Sequence, residues 1–134
     1  MTVAITAIYA SLTALMIVVF TWRVIKERRA TKTGLGDGGN ESLQLANRVH
    51  GNLLENAPIV LILMLLAELG GLSSLLLNLA GGTWLFARLL HAVGLTQGRG
   101  GIHPGRFWGV LLTWGVILFL AGANLYLALM ALAA

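Results

Sequence analysis

The chain has 134 residues, of which 57% are hydrophobic and 10% charged, where a soluble domain carries roughly a quarter charged residues. That balance excludes a soluble globular enzyme and describes a chain made for lipid, so the net charge of +4 bears on membrane orientation and not on nucleic acid. With no cysteine, disulfides, thiolate nucleophiles and thiolate metal sites are excluded as well.

Residues 3–22 are uncharged and apolar, long enough to span a bilayer, which takes ~20 such residues; the first helix is expected over about 3–27. Its basic residues follow the apolar run instead of preceding it, so it reads as a retained span and not a cleaved leader. The stretch "TKTGLGDGGNES" is rich in turn formers, and Asn40 or Ser42 is placed to cap a second helix. Residues 57–69 alone are too short to span, but with the polar residues before them they make one helix over 41–69, about 43 Å long. Pro58 lies inside it, leaves the Leu54 carbonyl without its helical donor and predicts a mild kink. Glu68 ends this helix and is expected to be solvated. After Gly70 and Gly71 a third span runs over about 72–95, interrupted by Asn78, Gly81, Gly82 and Arg88. The loop "TQGRGGIHPGR" leads into a fourth, uncharged helix over about 106–133. Gly115, Ala121 and Gly122 on the fourth helix, with Gly81 and Gly82 on the third, permit close helix approach for assembly. The expected fold is a single all-α domain, 1–134, a polytopic membrane four-helix bundle.

All nine Lys and Arg residues fall either between the first and second spans or around the third-to-fourth connection. The positive-inside rule therefore predicts both long loops in the cytoplasm and both termini outside.

The stretch "NRVHGNLLENAP" raises the functional question. Arg48, Asn52, Glu55 and Asn56 stand at i, i+4, i+7 and i+8, within an arc of about 100° and over about 12 Å of helix, close to the length of an extended tripeptide. Polar residues at the mouth of a membrane helix commonly just face water, and Gln44 and Arg48 alone fit that description. Glu55 and Asn56 lie nearer the bilayer, where a carboxylate costs a few kcal/mol unless paired or in a wet cavity, so a bundle-facing polar pocket is the preferred reading. His50 points to the opposite side. Arg88 and His91, at i and i+3, share a face of the third helix, and Arg99, His103 and Arg106 follow in a glycine-rich loop that matches no phosphate-binding motif. The three histidines have no metal-ligand spacing, and no metal site is expected. Guanidiniums with one carboxylate and two amides suit a small, anionic, peptide-like ligand.

Those residues resemble a known family. The pattern Arg48, Asn52, Glu55, Pro58 in "RVHGNLLENAP", with "VIKERRAT" on the first helix and "LFARLLHAVG" on the third, is similar to the membrane-associated proteins in eicosanoid and glutathione metabolism, the MAPEG superfamily. "GDGGNESLQLANRVHGN" looks most like its small bacterial branch, which implies a bacterial inner membrane. The resemblance covers nearly the whole chain. It implies a homotrimer binding glutathione as co-substrate between subunits near the cytoplasmic face. Arg48, Asn52 and Glu55 would hold the tripeptide; His50 would contact it from the adjacent subunit, and Arg28 and Arg29 match a basic pair that reaches toward the neighbouring site. The residues themselves add Asn56, Arg88 and His91 as substrate-binding candidates. It also implies a microsomal-type glutathione transferase or peroxidase acting on lipophilic electrophiles. Where better-known members carry tyrosines this chain has Asn56, His91 and Leu95, and its own Tyr9 and Tyr126 lie in the outer halves of helices one and four. Thiol activation would then fall to a nearby cation, which lowers a thiol pKa: Arg99 and Arg106 lead, with Arg28, Arg29 and His91 as the other candidates. The alternative is a non-catalytic lipid- or glutathione-binding member. A small proton-coupled exporter would need a carboxylate within the first helix, and residues 3–22 have none.

Overall fold

The computed structural model describes residues 3–133. It contains four helices and, among the described residues, no strand: α1 (Ala4–Thr31), α2 (Glu41–Leu69), α3 (Ser74–Gln97) and α4 (Pro104–Ala133). Each is long and apolar enough to cross a membrane. The boundaries follow local chemistry. Asn40 caps α2, its side chain accepting the Leu43 N–H at 3.1 Å, and Ser73 does the same for α3 through Leu76. α1 runs past its expected end and stops at Lys32, which takes a left-handed conformation (φ 52°). Gly71 (φ 87°) reverses the chain between α2 and α3. α2 continues unbroken through Pro58.

In the bundle α2 and α3 each contact both α1 and α4, and among the described residues α1 and α4 do not contact each other. The core gathers Leu53, Val60 and Met64 of α2, Leu77 and Trp84 of α3, and Leu120 of α4. α3 is the most buried and the least apolar of the four. Polar groups in it find partners across helices: the Trp84 indole donates to Thr13 Oγ1 at 3.0 Å, and Arg23 donates to Thr96 Oγ1 at 2.9 Å.

Close approach is made by glycine, and mostly within the chain. A Cβ at Gly81 would strike the ring of Tyr9, so this glycine is filled by α1 and not left for assembly. Gly115 and Gly122 have nothing within 4 Å of such an atom and remain open for a neighbour. Along α3 and α4, Gly94 meets Gly105, and Gly109 meets His91 and the Ala87 carbonyl.

Glu68 is not merely solvated. Its carboxylate accepts the backbone N–H groups of Ile5 at 2.9 Å and Thr6 at 2.7 Å, closing the start of α1. The reason is positional: the end of α2 lies beside the positive end of α1, whose first amides lack helical partners. Glu68→Ala is expected to lower stability by about 1 kcal/mol in denaturant unfolding of the micellar protein. It should also speed hydrogen exchange at the Ile5 and Thr6 amides.

Candidate functional site

A cleft of about 220 Å³ opens at the end of the bundle that carries the basic residues. Glu41, Gln44, Leu45, Arg48 and Asn52 of α2 form one wall, spaced by three or four residues so that they share a face. His91 and Leu95, one turn apart on α3, form another, and Arg99, Gly100 and Arg106 close it from the α3–α4 turn and the start of α4. That turn is built by Arg99 (φ 48°) and Gly100 (φ 78°), which return the chain so that Arg106 faces α2. His103 Nδ1 accepts the Gly105 N–H at 3.0 Å and caps the beginning of α4.

The cleft carries three guanidiniums, Arg48, Arg99 and Arg106, against one carboxylate, Glu41. Arg99 Nε lies 3.8 Å from Glu41 Oε1, and Arg48 Nη1 lies 3.5 Å from Glu55 Oε1. All four side chains are more than half exposed, and such exposed pairs are worth about 0–1 kcal/mol. An anionic ligand can therefore open them at little cost. Arg106 donates to the carbonyls of Gly100 and Gly101, which holds its side chain along the cleft edge.

Behind the cleft sits Arg88, 3% exposed. Its Nη1 donates to Asn52 Oδ1 at 2.5 Å, and its Nη2 donates to the Gly109 carbonyl at 2.9 Å and to Thr113 Oγ1. The guanidinium carbon also lies 5.3 Å from the Trp84 ring centroid, a cation–π distance. No carboxylate pairs with it among the described residues, and its Nε has no partner. Arg88 and His91 share a helix face but not a role: His91 lines the cleft, and Arg88 does not.

The polar stripe of α2 is divided in the same way. Arg48 and Asn52 line the cleft. Glu55 does not line it; it stands exposed as the partner of Arg48. Asn56 turns back on its own helix, its Nδ2 donating to the Asn52 carbonyl at 2.8 Å, so it is not in the cleft. His50 Nε2 shares a 3.0 Å hydrogen bond with Thr21 Oγ1 on α1. Arg28 spans the α1–α2 loop, donating to the carbonyls of Thr33, Gly34 and Gly36 and to Asn47 Oδ1. Arg29 is exposed. Tyr9 donates to Asn78 across the α1–α3 contact, and Tyr126 is exposed on α4. Sequence reasoning missed Glu41, whose signal was its register one heptad before Arg48, and Gly100, which had no signal beyond its place in a glycine-rich loop.

Next to the cleft is a second, larger hollow of about 500 Å³, lined by Ile102, Phe107, Val110, Leu111 and Trp114 with the edge of His103. It shares Gly100 and Arg106 with the polar cleft. Arg106 thus stands on the boundary between a cationic compartment and an apolar one.

The sequence matches the model of the MAPEG family over residues 6–126. It is also 34% identical over 122 residues to inner membrane protein YecN of Escherichia coli strain K12, covering 91% of each chain. The same holds for YecN of Escherichia coli O6:H1 strain CFT073. A family match across most of the chain, four membrane-spanning helices and relatives aligned almost end to end lead to one conclusion: this integral membrane protein belongs to the MAPEG family.

Proposed function

We propose that this inner-membrane protein binds glutathione in the cleft formed by Arg48, Asn52, His91, Arg99 and Arg106, and presents its thiolate to lipophilic electrophiles as a transferase or peroxidase. The observation that carries the reading is the shared wall. A small cleft with excess positive charge, suited to the two carboxylates of a tripeptide, meets an apolar hollow at Arg106. Glutathione in the first and an acyl or aryl substrate in the second would bring sulfur and electrophile together beside a guanidinium. A thiol with an ordinary pKa of about 8.5 is mostly protonated at neutral pH, and an adjacent cation favours the thiolate. The positive-inside distribution of all nine basic residues orients the cleft toward the cytoplasm and both termini outward.

The same reading makes the working unit a homotrimer with sites between subunits. Ligand pockets typically measure about 300–1,000 Å³, and about 220 Å³ in one chain falls short of that, so a neighbour is needed to complete the enclosure. α1 and α4 leave broad apolar faces uncovered, and Arg29 is free to reach an adjacent cleft.

A second reading, glutathione binding without turnover, is favoured by one observation. Both candidate activating arginines already have protein partners: Arg99 has Glu41, and Arg106 has two loop carbonyls. Incubating the purified protein with glutathione and a chloronitrobenzene or a lipid hydroperoxide separates the two. Conjugate or reduced product above the uncatalysed rate supports the enzyme. Glutathione binding with no product at any electrophile supports the second reading.

A further inference from the structure

We propose that Arg88 is a positioning residue that locks the Asn52 side-chain amide with its Nδ2 toward the cleft, so that this point of the cleft donates a hydrogen bond and selects a carbonyl or carboxylate oxygen. The inference rests on the glutathione reading for its ligand, but its geometry is independent of it. A guanidinium has donors and no acceptor. Whatever Asn52 presents to Arg88 Nη1 at 2.5 Å must therefore be its oxygen. The amide nitrogen is then forced to the side away from Arg88; Asn52 lines the cleft, and its Nδ2 has no hydrogen-bond partner among the described residues.

Arg88 cannot yield. It is buried, and its other terminal nitrogen is held by the Gly109 carbonyl and Thr113 Oγ1 on α4. The Asn52 backbone carbonyl also accepts from Asn56 Nδ2 at 2.8 Å, which steadies the same turn of α2. One buried cation thus ties α2, α3 and α4 together at the depth of the cleft floor. It converts an ambiguous amide, able to donate or accept, into a donor only. An ammonium placed there would meet N–H groups, whereas an oxygen would be matched.

The test uses the full chain purified in detergent micelles, titrated calorimetrically with glutathione. Asn52→Asp keeps an oxygen for Arg88 and adds an ion pair, but turns the cleft-facing nitrogen into a carboxylate oxygen. It is expected to weaken glutathione binding roughly 10- to 100-fold while its thermal midpoint equals or exceeds that of the wild type. Arg88→Met releases the amide and is expected to weaken binding roughly 10-fold, while Arg88→Lys, which retains a donor but cannot bridge Asn52 and α4 with two nitrogens, is expected to fall between Arg88→Met and the wild type. Asn52→Asp protein that binds glutathione as the wild type does overturns the proposal. Where Arg88→Met fails to fold, Asn52→Asp decides alone. A second readout needs no glutathione: the Asn52 side-chain amide protons, assigned by their loss in Asn52→Asp, should form one resolved pair that moves in Arg88→Lys. A pair unmoved by that substitution overturns the inference. Wild type that binds no glutathione sinks the functional reading, and the amide spectrum still decides the role of Arg88.

Discussion

Gly94→Ala is expected to destabilise the protein by about 1–3 kcal/mol and to abolish most glutathione binding at the same time. The added methyl would lie 2.9 Å from Gly105 Cα and closer still to the backbone of Arg106. The obstacle is main chain and cannot rotate away, so the start of α4 must shift. The reverse view agrees: a Cβ at Gly105 would stand 3.1 Å from the Leu90 carbonyl and 3.2 Å from Gly94 Cα. In lipid, where helices gain no hydrophobic drive toward each other, such backbone contact is a main source of association. Arg106 is adjacent in sequence to the contact, so a displaced α4 moves a guanidinium off the cleft. Denaturant unfolding and glutathione titration of Gly94→Ala check both parts. Gly115→Ala is the control, because among the described residues nothing lies within 4 Å of a Cβ added there. A change in its oligomeric state with unchanged chain stability would place Gly115 at a subunit contact.

The second large effect concerns Arg106. Arg106→Ala is expected to cut the thiolate fraction of bound glutathione, and with it turnover, roughly 10- to 25-fold at neutral pH, since one nearby opposite charge shifts an acid by about 1–2 pKa units from an ordinary value of about 8.5. The sign follows from the charge: removing a cation raises the thiol pKa, so the loss is greatest at neutral pH and shrinks as pH rises toward the unperturbed value. Arg106→Lys should retain part of the effect. The ultraviolet thiolate band on adding glutathione measures it directly. Its persistence in Arg106→Ala, paired with its loss in Arg99→Ala, would transfer the role to Arg99. Stability should change little, because the carbonyls of Gly100 and Gly101 that Arg106 serves are exposed to water.

Much of the bundle is legible from hydrophobic length alone, since a bilayer sets how long each span must be. Asn40, Ser73 and the glycine pair at 70 and 71 mark element ends by local rules that do not depend on packing. The polar face of α2 is likewise visible at i and i+4 spacing, and Arg48 and Asn52 do line the cleft. What periodicity does not contain is the rotation of one helix against its neighbour. That rotation decides that His50 meets Thr21, and that Arg88 lies behind Asn52 while His91 lines the cleft. Arg28 illustrates a different limit. A basic residue at a helix end invites a ligand reading, but three loop carbonyls within reach absorb its donors. Glu68 was misread for the same reason: its partners are amides more than 60 residues away in sequence.

Isothermal titration of glutathione into wild type, Arg48→Ala and Lys26→Ala protein probes the cleft most directly. Arg48 lines it, whereas Lys26 is an exposed cation on α1 outside it. Saturable binding by the wild type and Lys26→Ala, weakened roughly 10- to 100-fold in Arg48→Ala, is the result expected. No binding heat with the wild type, or equal affinity in Arg48→Ala, contradicts a glutathione site between α2, α3 and the start of α4.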